Sequence, residues 1–216
     1  MLPKKFTLLV SSCALLSAMP AYGFNTISPQ ADTKGAYTLI NSNVEESAAA
    51  FIANLEKRGV GFLKDSSLSD EQRTEAFSDL LKDNFDMKTI GRFALGRYWK
   101  TTSPEQRKEY LQLFENMVIA VYSRRFSDYN GQALEIISTR EKGKSDAIVS
   151  SYIVPESGPK IKIDWRVREG KNKKIKVIDV IVEGVSMSLT QRSDFASVIQ
   201  RGGGKIDVLL DHLKTQ

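Results

Sequence analysis

Gly184-Val185-Ser186-Met187-Ser188 offers a serine hydroxyl directly after an apolar run, which is where a hydrolase could expose a nucleophile. The segment lacks the second glycine of a nucleophile elbow, and no strand-to-helix turn is expected directly after it. A base would have to come from His212, the single histidine, which is expected near the end of the last helix beside charged neighbours. An esterase using Ser186 and His212 is the enzyme reading to weigh, while a solvated helix position is the expectation for His212. Gly202-Gly203-Gly204-Lys205 could be taken for a phosphate loop, but its spacing differs from that motif and a helix precedes it where a strand is required. Its context supports a helix C-cap. Lys171, Lys173, Lys174 and Lys176 fall at a hairpin turn, either simply solvated or weakly attractive to anionic headgroups. Asp179 is the odd residue, because strand alternation puts its carboxylate among Ile175, Val177 and Ile181. A buried carboxylate needs a partner. A structural ion pair or hydrogen bond with Arg97 or Arg192 is expected, since a lone carboxylate is a poor catalytic set. No catalytic residue, metal ligand or cofactor is assigned.

The N-terminus belongs to none of this. Lys4 and Lys5 precede an apolar or small run over 6–16, Pro20 breaks it, and Ala21-Tyr22-Gly23 offers small residues at the first and third positions. That is the pattern of a secretory signal peptide over 1–23, cleaved after Gly23. The run is shorter than the ~20 residues a membrane span needs. Lipidation at Cys13 would leave only 6–10 as the apolar region, below the roughly 7–15 residues such a region has. Cys13 is the only cysteine, so the exported chain is expected to lack a disulfide, a thiol nucleophile and a thiolate metal site. It must hold itself together by its core. With 31 Lys+Arg against 26 Asp+Glu in 216 residues, the charge is mildly positive and gives no reason to invoke nucleic acid. The length suits one domain with a sizeable core or two small ones.

The elements that would position the candidate groups change character halfway along. Residues 24–42, rich in Asn, Ser, Thr, Gly and Pro, read as a mobile leader, and 43–216 as the folded part. Val44, Ala48, Phe51, Ile52 and Leu55 recur at helical spacing until Gly59 and Gly61 interrupt them. "SDEQ" at 69–72 is a capping box, Asp86 can cap a third helix, and "SPEQ" at 103–106 opens a long one. That helix carries Tyr110, Phe114, Met117, Val118, Val121, Tyr122 and Phe126 on one face and is expected to end at Asn130-Gly131. From there the period becomes two, with strands expected over 133–139, 146–154, 160–168, 174–182 and 185–189. In the fourth strand Ile175, Val177 and Ile181 alternate with Ile178, Val180 and Val182, so both faces are apolar and both are expected to be covered. Short helices over 193–201 and 205–214 complete the chain. Helices first and an antiparallel sheet second is an α+β arrangement.

Two long stretches together resemble a known family. "NFDMKTIGRFALGRYWKTTSPEQRKEYLQLFENMVIAVY" (84–122) is similar to a family segment of Phe-Asp, Ile-Gly-Arg, Leu-Gly-Arg-Tyr-Trp, Ser-Pro-Glu-Gln-Arg and a helix bearing Phe and Tyr. "KVIDVIVEGVSMSLTQRSDF" (176–195) is similar to its second hallmark, an Asp in a hydrophobic strand followed by Gly-Val-Ser and Arg-Ser-x-Phe. The family is MlaC, also called the toluene-tolerance or Ttg2 family, and the likeness runs over about 43–214. Gln191 stands where many members have Tyr, and the surrounding stretch is closer to a branch associated with hopanoid-producing bacteria.

The resemblance implies an NTF2-like α+β cone, with N-terminal helices packed on a curved antiparallel sheet of about five strands around an apolar cavity. It implies a monomeric periplasmic carrier that holds the acyl chains of a diacyl phospholipid. Lipid would pass between an inner-membrane ABC transporter carrying an MCE-domain protein and an outer-membrane lipoprotein complex. A hopanoid or other apolar small molecule is the alternative cargo. The expected lipid-lining residues are Leu95, Tyr98, Trp99, Phe114, Val118, Val121, Tyr122, Trp165, Val177, Ile181, Val185, Met187 and Phe195.

Overall fold

The computed structural model describes residues 42–216; the expected signal peptide, and the expected leader up to residue 41, lie outside them. Helix α1 (Ser42–Lys64) runs on through Gly59 and Gly61, where an interruption is expected. A Cβ at either position would meet nothing within 4 Å, so neither glycine marks a close approach. Packing of Ala48, Ile52 and Leu55 in the sheet core outweighs the weak helix propensity further along. Helix α2 (Asp70–Asn84) starts at the expected capping box, with the Gln72 amide donating to Ser69 Oγ at 3.2 Å and the Ser69 amide donating to Gln72 Oε1 at 2.8 Å. Asp86 caps α3 (Met87–Leu95), accepting from the Thr89 amide at 2.9 Å. A 3₁₀ turn over Gly96–Lys100 follows, and α4 (Pro104–Ser123) opens on the second capping box. It stops short of the expected Asn130-Gly131. Phe126, in a 3₁₀ turn over Phe126–Asp128, folds back onto Phe62 and Phe77 with ring centroids 5.8 and 5.3 Å away.

Five strands then form one antiparallel meander: β1 (Ala133–Lys142), β2 (Asp146–Val154), β3 (Ile161–Glu169), β4 (Ile175–Val182) and β5 (Val185–Ser186). The α+β class and the five strands are as expected. The alternation in β4 is not. Arg166 pairs with Asp179 but Val167 pairs with Val177, which leaves Ile178 as an extra residue in a bulge. A bulge inverts which side chains share a face beyond it. Val177, Val180 and Val182 therefore share a face with Val167, Trp165 and Ile163, while Asp179 and Ile181 lie on the other. A second irregularity at Ile137 bends β1. Both faces of β4 are covered, as its composition requires: it belongs to the core under α1 and also meets α2, α3 and α5.

The last strand ends at Ser186, and α5 (Met187–Arg201) begins at once, well before the expected 193. Helix α6 (Ile206–Lys214) folds back over the end of α5. A Cβ on Gly202 would sit 2.5 Å from Val208 Cγ2, so only glycine lets the two helices meet there. Two buried clusters result. One lies under α1 and α2 on the sheet; the other is helical, gathering α3 to α6 around Tyr110, Phe114, Phe195 and Ile199.

Candidate functional site

The bulge aims Asp179 at the start of α5. Its Oδ2 accepts the Ser186 hydroxyl at 2.6 Å, and its Oδ1 accepts the Ser188 amide at 3.1 Å and the Ser188 hydroxyl. Ser186 Oγ in turn accepts the Leu189 amide at 3.1 Å and caps the helix. The expected ion pair with Arg97 or Arg192 does not form. Arg97 lies over the Tyr98 ring at 5.0 Å and donates to its hydroxyl at 3.0 Å, and Arg192 lies over Phe93 at 5.4 Å. The free amides and hydroxyls of a helix start satisfy the carboxylate instead. A helix does follow Ser186 directly, contrary to expectation, but the serine is its cap and its hydroxyl is occupied. His212 is exposed on α6. The constellation clamps α5 to β4; as a nucleophile, Ser186 has only the carboxylate that already holds it.

The sheet face under α1 differs from end to end. At the end where β2 begins and β3 finishes, Ala147, Val149, Val167 and Val177 are at most 2% exposed and pack on Ala48, Ile52, Leu55 and Leu80. At the other end most of the apolar residues are only partly buried, namely Leu134, Ile136, Ile153, Ile161, Val180 and Val182, while Ile163 and Ser151 among them are 7% and 0% exposed. Trp165 stands between, its Nε1–H donating to Ser151 Oγ at 3.0 Å. A polar edge tied down in this way fixes the orientation of the indole.

Helix α4 shows the same division along its length. Tyr110 and Phe114, up to its midpoint, are 0% and 2% exposed in the helical core. In its second half Met117, Val118, Ile119, Ala120 and Val121 are only partly buried and Tyr122 is 44% exposed. Burial nevertheless pushes the Tyr122 phenol above its ordinary value, with Arg125 opposing. Helix α4 packs on α2, α3 and α6, and among the described residues its packing on the strands is slight.

The expected lipid-lining residues are therefore dispersed. Leu95, Phe114 and Phe195 are inside the helical core, with Tyr98, Trp99 and Val118 at its edge. Val177 is sealed in the filled end of the sheet core, and Trp165 packs at that core's margin. Val121, Ile181 and Met187 are partly buried outside both clusters, and Val185 is 41% exposed. The apolar residues at the less filled end were missed because uninterrupted alternation put Ile181, in place of Val180, beside Val177. No local signal marks the bulge, which depends on how β3 and β4 pair. Among the described residues no helix is long and apolar enough to cross a membrane.

A family model described as "MlaC protein" matches residues 57–215. The intermembrane phospholipid transport system binding protein MlaC of Haemophilus influenzae is 28% identical over 145 residues, covering 66% of each chain. The toluene tolerance protein ttg2D of Pseudomonas putida is 24% identical over 115 residues, covering 53% of each. Thus the matched regions span about two-thirds and about half of these relatives' own lengths. In fold, a phospholipid-binding protein from Ralstonia solanacearum, solved in complex with a phospholipid, superposes with a TM-score of 0.67 at 23% identity, covering 77% of this chain and 94% of that one.

Proposed function

The chain belongs to the MlaC protein family, and from that premise we propose that it is a phospholipid-binding protein of a lipid-transport system, acting as a carrier with no chemistry of its own. The acyl chains lie between the less filled end of the sheet and the second half of α4. The observation that carries this reading is the contrast along one apolar sheet face, filled at one end and only partly filled at the other. A diacyl lipid has about 30 methylenes, so exposing it to water costs on the order of 25 kcal/mol gross. A bilayer removes that cost equally well. A carrier must therefore match the membrane interior with an apolar lining and leave direction to its partners.

The partners in this reading are an inner-membrane ABC transporter with an MCE-domain protein and an outer-membrane lipoprotein complex. The protein works as a monomer in the periplasm, after removal of 1–23 as a signal peptide. The name of the Haemophilus influenzae relative supports transport over esterase activity, as does the commitment of the Ser186 hydroxyl to Asp179 and Leu189.

Organic extraction of protein purified without detergent, followed by mass spectrometry, tests the reading. Stoichiometric diacyl phospholipid is the expected result. A triterpenoid in its place would assign a hopanoid cargo. An empty protein that hydrolyses esters and loses this with Ser186→Ala would overturn carriage altogether.

A further inference from the structure

We propose that the cleft bounded by α3, the Gly96–Lys100 turn, α5 and the end of β3 binds a phosphate group, at a site separate from the place of the apolar cargo. The cleft is about 670 Å³ and is lined by Arg92, Arg97, Trp99, Lys100, Arg168 and Arg192 among others. That size is within the range of small-ligand sites. Asp146 neutralises Arg168, with Nε to Oδ1 at 2.6 Å. The other four cations make no ion pair with a carboxylate among the described residues. Like charges gathered around one concave surface raise one another's energy, and a bound anion relieves this.

The guanidinium groups are also held in place. Arg97 and Arg192 stack on Tyr98 and Phe93, and Arg92 stacks on Trp99 at 5.8 Å. Trp99 is itself fixed, because Arg107 donates twice to its carbonyl at 2.7 and 3.0 Å. Arg192 gains access through Gly96, where a Cβ would come within 2.8 Å of its Nε. A stacked guanidinium keeps its in-plane N–H donors available, and that fork matches the oxygens of a phosphate. The predominance of arginine over lysine and the concave form favour one compact anionic group over an extended acidic chain. The strand carrying Arg168 ends at the filled end of the sheet, away from the proposed cargo. The lysine-rich turn of Lys171, Lys173 and Lys174 follows immediately and extends the positive surface.

The shared chemistry is a phosphate monoester or diester, supplied by a lipid headgroup in a membrane or by a free phosphate. Calorimetric titration of the processed protein with inorganic phosphate and glycerol 1-phosphate at low ionic strength is the first arm, with sodium chloride as the control. Flotation with phosphatidylcholine vesicles, with and without phosphatidylglycerol, is the second. Saturable binding in either arm is expected, weakened by about tenfold or more in Arg97→Gln and in Arg192→Gln. Both residues are exposed, so the variants should fold, and melting temperature and extracted lipid are measured on the same samples. Binding to phosphatidylglycerol vesicles alone assigns a headgroup, and binding of soluble phosphates alone assigns a free phosphate. A response no larger than chloride gives, binding of polyglutamate but of neither phosphate, or variants that bind as well as the parent would overturn the proposal. Protein that binds phosphate but never yields apolar cargo would sink the carrier reading and leave this one standing.

Discussion

The two ends of the sheet face under α1 are made from similar residues and reach different densities. At the filled end, Ala48 on the helix meets Ala147, Val149, Val167 and Val177 on the strands, none more than 2% exposed. Small side chains on both layers let helix and sheet approach until no space remains. At the other end Leu134, Ile136, Trp165 and Val180 are larger on average, yet they stay partly buried. The difference therefore lies in side-chain size and in how closely the neighbouring elements approach, not in apolar character. Where α1 and α2 cover the sheet most fully, apolar residues become a solid core; in the proposed carrier the less fully buried end is the lining.

The largest expected effect follows from truncating a residue in the filled end. Ile52 is 0% exposed, so Ile52→Ala should lose about 2–5 kcal/mol, the range for a cavity opened in a packed core. Ile136→Ala, at the less filled end, should lose well under half as much, because its surroundings are already incomplete. Equal losses in denaturant unfolding of lipid-free protein would erase the contrast between the ends.

Enlargement should invert that ranking. Val177→Trp forces an indole into a sealed core and should cost about 1–3 kcal/mol or prevent folding. Val180→Trp, three residues further along and past the bulge, should be tolerated in lipid-free protein and should displace co-purifying lipid. Lipid-free parent protein should also melt below the loaded form, because a ligand that binds only the native state stabilises it. If Val180→Trp unfolds the protein as Val177→Trp does, that end of the sheet is solid and cannot hold acyl chains.

The choice of Val180 over Ile181 shows where sequence reasoning reached its limit. Helix starts were legible because a capping box is local: Ser69 with Gln72 and Ser103 with Gln106 fall where their residue types require. The class and the strand count followed from the change of period. The bulge at Ile178 was not legible, since it depends on how Val167 and Asp179 pair across strands. That one residue moved Asp179 and Ile181 to the opposite face and replaced an expected arginine partner by Ser186 and Ser188. The early start of α5 has the same origin, because Asp179 reaches the amide and hydroxyl of Ser188. The basic cleft was missed for a related reason: its cations come from α3, the following turn, α5 and β3, and only the fold brings them together.

The smallest expected effects concern the ion pairs that flank the two ends. At the filled end Asp146, 6% exposed, accepts from Arg168 at 2.6 and 2.9 Å and from Arg166 at 2.7 and 3.1 Å. The Arg168 hydrogen bonds, with those of Arg166 and both positive charges, hold the Asp146 carboxyl below its ordinary value against the opposing effect of burial. A carboxyl whose folded value is depressed contributes stability that is fully present above its unfolded value, near ~3.9, and is lost as pH falls through the folded one. Asp146→Asn should therefore cost a constant amount between about pH 5 and 8, and the gap to the parent should close only in stronger acid. A fully buried pair would set the cost at about 3–5 kcal/mol; with Arg166 and Arg168 side chains 34% and 42% exposed, about 1–3 kcal/mol is expected. At the less filled end the matching pair is Lys160 with Glu135 at 2.7 Å, both about half exposed. Glu135→Gln should change stability by less than about 1 kcal/mol, and added salt should remove even that. Urea unfolding of the two variants at pH 7 and in acid, at low and high salt, measures the difference. Equal costs that respond equally to salt would mean that the filled end is no better shielded from water than the other.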